Sequence, residues 1–123
     1  MLRPDEAQRR ERELEPRLEI TRTDAGLAIA GELDLATTPQ LSEALDEVAG
    51  DTSEGDIVVD VRELTFIDST GLRTLLTTTE QLPPERRLVL RGAQAQVVRV
   101  FDIAGILGKV ENLVVEGIQQ PEG

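Results

Sequence analysis

The sequence has no cysteine, histidine, tryptophan or tyrosine, and only two phenylalanines among its 123 residues. Each absence closes a chemistry. Without thiols there is neither a disulfide framework nor a thiol redox switch, and without Cys or His a structural zinc has no ligands of its usual kind. Ser-His-Asp and Cys-His nucleophilic catalysis and imidazole acid-base chemistry are excluded with them. Hydroxyl, carboxylate, amide and guanidinium groups remain, so no metal, no cofactor and no enzymatic activity are expected.

Positive charge is also scarce. Thirteen Lys and Arg residues stand against 24 Asp and Glu, a net charge of −11. Binding to nucleic-acid phosphates depends on clustered Lys and Arg, so the expected partner is a protein rather than DNA or RNA. No run of about 18 apolar residues is present to span a bilayer. Met1-Leu2-Arg3-Pro4-Asp5-Glu6 lacks the apolar core of a signal peptide. A cytoplasmic monomer without membrane contact is the expectation.

The length suits one domain, and a 39% hydrophobic content is enough for one core. Residues 1–16 interleave Arg3, Arg9, Arg10 and Arg12 with Asp5, Glu6, Glu11, Glu13 and Glu15 without an apolar stripe, and read as a charged flexible tail. The domain is expected over residues 17–118, with a second polar tail at 119–123.

Within the domain the hydrophobic period changes repeatedly. Leu18, Ile20 and Arg22, then Leu27, Ile29 and Gly31, alternate around Asp24-Ala25-Gly26 and predict a hairpin. Thr37-Thr38-Pro39 supplies a hydroxyl cap and a first-turn proline, and Leu41, Ala44, Leu45, Val48 and Ala49 give a helical stripe up to Gly50. Ile57-Val58-Val59-Asp60-Val61 predicts a central strand. A second helix is expected from about Ser69 to Leu82, with Leu72, Leu75, Leu76 and Leu82 on one side and Pro83-Pro84 as its stop. Leu88-Val89-Leu90 is a strand, and Val97, Val100, Phe101 and Ala104 form a helical stripe closed by Gly105. Leu113-Val114-Val115 is an edge strand. The order ββαβαβαβ predicts an α/β fold: a mostly parallel four- to five-stranded sheet with an N-terminal hairpin and about three packed helices.

Working groups of open α/β sheets sit at the carboxyl ends of strands. Leu64-Thr65-Phe66-Ile67-Asp68-Ser69-Thr70-Gly71-Leu72 leaves the central strand there and enters a helix. Ser69 at the helix start reads either as an N-cap worth about 1 kcal/mol or as a reactive hydroxyl. Gly71 favours the second reading: it weakens the first helical turn yet lets a large partner approach the backbone beside Ser69 and Thr70. Gly31-Glu32-Leu33-Asp34 should bring Asp34 to the same edge as Asp68. Two carboxylates there fit an acid-base pair, a magnesium site or a solvated acidic rim; the rim is preferred because no Lys, His or phosphate-cradling glycine loop converges with them.

Gly31-Glu32-Leu33-Asp34, Asp56-Ile57-Val58-Val59-Asp60, Phe66-Ile67-Asp68-Ser69-Thr70-Gly71-Leu72 and Val100-Phe101-Asp102-Ile103-Ala104-Gly105-Ile106 occur in that order across residues 17–116. Together they resemble the STAS domain of bacterial anti-sigma factor antagonists. The resemblance implies a STAS-type fold and a partner-switching regulator of transcription. The unphosphorylated form would bind an anti-sigma factor that is also a serine kinase, and phosphorylation by that kinase would end binding until a serine phosphatase reversed it. The acceptor hydroxyl maps onto Ser69, with Thr70 as the alternative. The implied partner-binding residues are Asp34, Asp68, Ser69, Thr70, Gly71 and Leu72. Thr70 departs from the commonest pattern, which has a second serine there. Many relatives also continue into a final helix, so the edge near residues 110–123 is expected to be less covered. A STAS adaptor subunit of a lipid-transport ATPase or a stress-sensing assembly, docking without phosphorylation, is the alternative function. A hydrolase or phosphatase relying on Asp34 and Asp68 alone is a more distant one.

Overall fold

The computed structural model describes residues 17–52 and 54–119. A hairpin of β1 (Leu18–Thr23) and β2 (Gly26–Leu33) leads into α1 (Thr38–Asp51), β3 (Ile57–Ile67), α2 (Ser69–Gln81), β4 (Leu88–Arg91), α3 (Ala95–Ile103) and β5 (Leu113–Glu116). The five strands form one sheet in the order β1-β2-β3-β4-β5, with β3 at its centre. Only the hairpin pair is antiparallel; the other three pairings are parallel. This is the mixed, mostly parallel sheet that the alternating periods predict. The two expected tails lie outside the described residues except for Gln119. That residue is hydrogen-bonded to the domain: its amide donates to the Ala93 carbonyl at 2.9 Å, and its side-chain amide donates to the Gly92 carbonyl at 2.7 Å.

Strands β2 to β5 neighbour one another in chain order, so successive right-handed crossovers place every helix on the same face of the sheet. The core follows that geometry. Leu27, Ile29, Leu33, Val59, Val61, Ile67, Leu88 and Leu90 meet Leu41, Leu45 and Val48 of α1, Leu72 and Leu75 of α2, and Val97 and Phe101 of α3. The opposite face carries a row of Val58, Val89 and Val114, aligned across three strands. Beside it lie the ion pairs Arg62–Asp60 and Arg91–Glu116.

Local signals set the helix ends, with some differences from the sequence reading. α1 begins after Thr37 with Pro39 in its first turn, but the Thr37 hydroxyl makes no capping bond, and the helix runs to Asp51 rather than Gly50. α2 stops at Gln81 because Leu82, ahead of Pro83, is extended at ψ 147°. Thr78 and Thr79 belong to its buried face. Their hydroxyls donate back to the Thr74 and Leu76 carbonyls at 3.1 and 2.6 Å, which lets a polar side chain occupy a core-facing position. Gly105 has the expected left-handed conformation at φ +72°.

In the loop ahead of β4 sits Arg86, a charged residue only 5% exposed. Its guanidinium donates to the Gly55 carbonyl at 2.9 Å, the Thr52 carbonyl at 3.0 Å and the Thr52 hydroxyl at 2.8 Å. The loop leading into β3 is thereby tied to the loop leading into β4, at the end of the sheet remote from Ser69.

Candidate functional site

The parallel pairing of β2 with β3 sets Leu33 opposite Ile67, and the Asp68 amide continues it by donating to the Leu33 carbonyl at 3.1 Å. Asp34 and Asp68, the next residue of each chain segment, therefore leave the same edge of the sheet, as the sequence pattern requires.

Asp68, not Ser69, caps α2. Its carboxylate accepts the Gly71 amide at 2.9 Å, and Ser69 is the first helical residue. A carboxylate reaches the third amide of a helix from the cap position, leaving the hydroxyl beside it unused. The Ser69 side chain is exposed and that of Thr70 half-buried. The amides of Ser69 and Thr70 open the helix and have no intrahelical acceptor.

Gly71 is present for an internal reason. It is buried, and a Cβ built on it would lie 2.7 Å from Leu33 Cγ, 2.9 Å from the Leu33 carbonyl oxygen and 3.0 Å from Ile67 Cγ1. The helix start is pressed onto the ends of β2 and β3, so the glycine makes room for the protein's own backbone rather than for a visitor. Leu72, 7% exposed, is likewise a core residue. Of the six expected contact residues, Asp34, Asp68, Ser69 and Thr70 reach the surface, while 71 and 72 support them from beneath.

Asp34 also departs from the picture of a free acidic rim. Its Oδ1 accepts the Ala36 amide at 3.0 Å, the Thr37 amide at 3.1 Å and an Arg17 Nη2 hydrogen at 3.4 Å. The side chain is 18% exposed. Thr37 closes the turn from the other side: its buried hydroxyl accepts the Asp34 amide and donates to the Glu32 carbonyl, each at 2.9 Å. Arg17 is an organising residue that the sequence reading missed, and Thr37, read there as a helix cap, serves this turn instead; the Asp34 bond to the Ala36 amide two residues on is an Asx turn.

Both carboxylates are thus occupied as acceptors of backbone amides. Asp34 is paired with Arg17 at 3.4 Å, and among the described residues no group of three or more acidic side chains is gathered as a metal site. The arrangement sets an exposed hydroxyl at a helix start on the edge of the sheet where two anchored carboxylates leave it. Two large apolar side chains on these segments stand in solvent: Leu35 in the Asp34 turn, 73% exposed, and Phe66 near the end of β3, 48% exposed.

Comparison with known proteins agrees with this geometry. The family model described as "Mlab, STAS domain" matches residues 17–115. An anti-sigma-B factor antagonist of Listeria monocytogenes is 34% identical over 91 residues, covering 72% of this chain and 78% of that protein. A Staphylococcus aureus protein of the same name is 33% identical over 79 residues, covering 63% and 72%. The crystal structure of an anti-sigma factor antagonist from Mycobacterium paratuberculosis superposes with a TM-score of 0.62 at 30% identity, covering 79% of this chain and 83% of that one. The one-sided mixed sheet, the exposed serine behind a capping aspartate and these likenesses lead to one conclusion: this chain belongs to the STAS domain family.

Proposed function

We propose that this chain is an anti-sigma factor antagonist that works by partner switching in the cytosol. Unphosphorylated, it binds an anti-sigma factor that is also a serine kinase and so frees the sigma factor. Phosphorylation of Ser69 ends that binding, and a serine phosphatase restores it. The observation that carries this reading is the division of labour at the start of α2. Asp68 caps the helix, so the adjoining exposed hydroxyl has no structural duty and can be modified without altering the fold. Ser69 is favoured over Thr70 because Thr70 is half-buried.

Two electrostatic effects compete when Ser69 gains a phosphate of about −1.5 to −2 charge. The free amides of the helix start favour the anion by about 0.3 to 1 kcal/mol. Asp68 and Asp34 oppose it: at an assumed separation of ~6 Å and an effective dielectric of ~20, each unit pair repels by about 3 kcal/mol before salt screening. Repulsion dominates. Both carboxylates are tied to backbone amides, so they cannot simply swing aside, and the phosphate is directed outward. A partner fitted to a neutral hydroxyl then meets a dianion that it must desolvate.

Titration calorimetry of the unmodified full chain against the serine-kinase anti-sigma factors of its own genome tests the reading. Saturable binding to at least one is expected. Binding to none of them, with capture instead by a transport ATPase assembly, would establish the adaptor role in its place.

A further inference from the structure

Four large apolar side chains among the described residues are exposed: Leu35, Phe66, Ile103 and Ile118. Two of them belong to the segments that reach the edge of the sheet where Ser69 opens α2. Leu35 follows Asp34 directly, and Phe66 lies three residues before Ser69. The geometry points to Leu35 and Phe66 as the apolar anchors by which the anti-sigma factor grips this edge, an inference that rests on the partner-switching reading and deepens it.

Neither side chain is exposed by slackness. The Asp34 carboxylate holds the Ala36 and Thr37 amides, and the Thr37 hydroxyl bridges Asp34 to Glu32, so the turn that presents Leu35 is closed by bonds on both sides. Phe66 is turned outward by a break in strand alternation. Gly31 pairs with Leu64 but Glu32 pairs with Phe66, leaving Thr65 as an extra residue in β3. Thr65 is fixed by its hydroxyl on the Gly31 carbonyl at 3.1 Å and by Gln96 Nε2 on its own carbonyl at 3.3 Å. Leu64 and Ile67 stay in the core while Phe66 faces away from it. β4 pairs with β3 only as far as Asp60, so no strand runs alongside Phe66 on that side.

Apolar groups carried on a hydrogen-bonded turn and strand are suited to binding, because little backbone entropy remains to be lost on docking. Affinity at interfaces comes from such buried anchors, while surrounding charges steer and discriminate. At this edge the acidic groups are occupied by the turn and the cap. Leu35 and Phe66 are the exposed large apolar groups on the two segments that form this edge. The partner accordingly presents apolar pockets beside its phosphotransfer site, and a phosphate on Ser69 enters the same dry contact. Ile103 offers a control. α3 runs antiparallel to the strands and carries it to the opposite end of the sheet.

The test is calorimetry of full-length Leu35→Ser, Phe66→Ser, Leu35→Glu and Ile103→Ser against the kinase bound by the wild type, with circular dichroism and urea midpoints confirming folding. Loss of roughly tenfold or more in affinity for the first three, with Ile103→Ser unchanged, is expected. Wild-type affinity in both Leu35 variants would overturn the pair of anchors and leave partner switching intact. An equal loss in Ile103→Ser would overturn their placement. A wild-type chain that binds no such kinase would overturn the partner reading, and the anchors with it.

Discussion

The Asp68 carboxylate accepts the Gly71 amide at 2.9 Å and thereby caps the helix whose first residue is Ser69. The capping bond thus belongs to Asp68 and not to the exposed Ser69 hydroxyl beside it. Asp68→Ala is expected to cost about 1 kcal/mol in urea denaturation, as for a lost cap, whereas Ser69→Ala is expected to stay within about 0.5 kcal/mol of wild type. Far-ultraviolet circular dichroism suits a chain without Trp or Tyr. Equal losses would return the capping role to Ser69.

Gly71→Ala sets two known quantities against each other. Alanine gains up to about 1 kcal/mol of helix propensity, but its methyl would sit 2.7 Å from Leu33 Cγ and 2.9 Å from the Leu33 carbonyl. Overpacking of this kind costs about 1 to 3 kcal/mol. With backbone among the atoms that must yield, net destabilisation is expected, measurable as a lower urea midpoint at unchanged slope. A stabilised variant would show that the helix start can lift from β2.

Replacing Arg86 by Met keeps much of the buried stem and deletes the guanidinium that joins the Thr52 and Gly55 carbonyls. Thr52 and Gly55 are exposed, so water can replace the lost donor, and a loss of about 1 kcal/mol, the net worth of a typical hydrogen bond, is expected. Because the brace lies at the far end of the sheet, kinase affinity measured below the unfolding transition should not change.

Acid stability is expected to depend on Asp60 and Asp56. The hydrogen-bonded Arg62 side chain holds the Asp60 carboxyl below its ordinary 3.8, against an opposing effect of burial. Arg87 does the same for Asp56. A carboxyl with a lowered folded-state pKa binds protons less readily than in the unfolded chain. Its stabilisation is complete above about pH 4 and is lost as pH falls through the folded value. Asp60→Asn should therefore flatten the fall in stability below pH 4 and leave the profile from pH 6 to 8 level. The effect should shrink in high salt, since both pairs are solvent-accessible. An unchanged acid limb would show that the pair contributes nothing.

Periodicity made most of this fold readable. Runs such as Ile57-Val58-Val59 and stripes such as Leu41, Leu45 and Val48 depend only on which face is buried, and the alternation of strands with helices determines the crossovers. That Asp34 and Asp68 leave one edge of the sheet was readable for the same reason, since each follows the end of a strand. What Gly71, Asp34 and Ser69 do there was not. Gly71 answers to Leu33, 38 residues earlier in the chain; Asp34 answers to Arg17 and Thr37. A cap can be offered by Asp68 or Ser69 with equal propensity, and only the placement of the Gly71 amide decides between them. The outward turn of Phe66 depends on a one-residue slip against β2, which no alternation within β3 alone reveals.

The central claim is that a phosphate on Ser69 releases the partner without unfolding the site. The most direct measurement incubates the full chain with the cognate kinase and ATP, locates the modification by mass spectrometry of the peptide spanning residues 63–73, and compares kinase affinity before and after modification. Phosphate on Ser69, unchanged circular dichroism and at least a tenfold weaker complex are predicted. Phosphate confined to Thr70, or a Ser69-phosphorylated chain that binds as tightly as the unmodified one, would contradict the account.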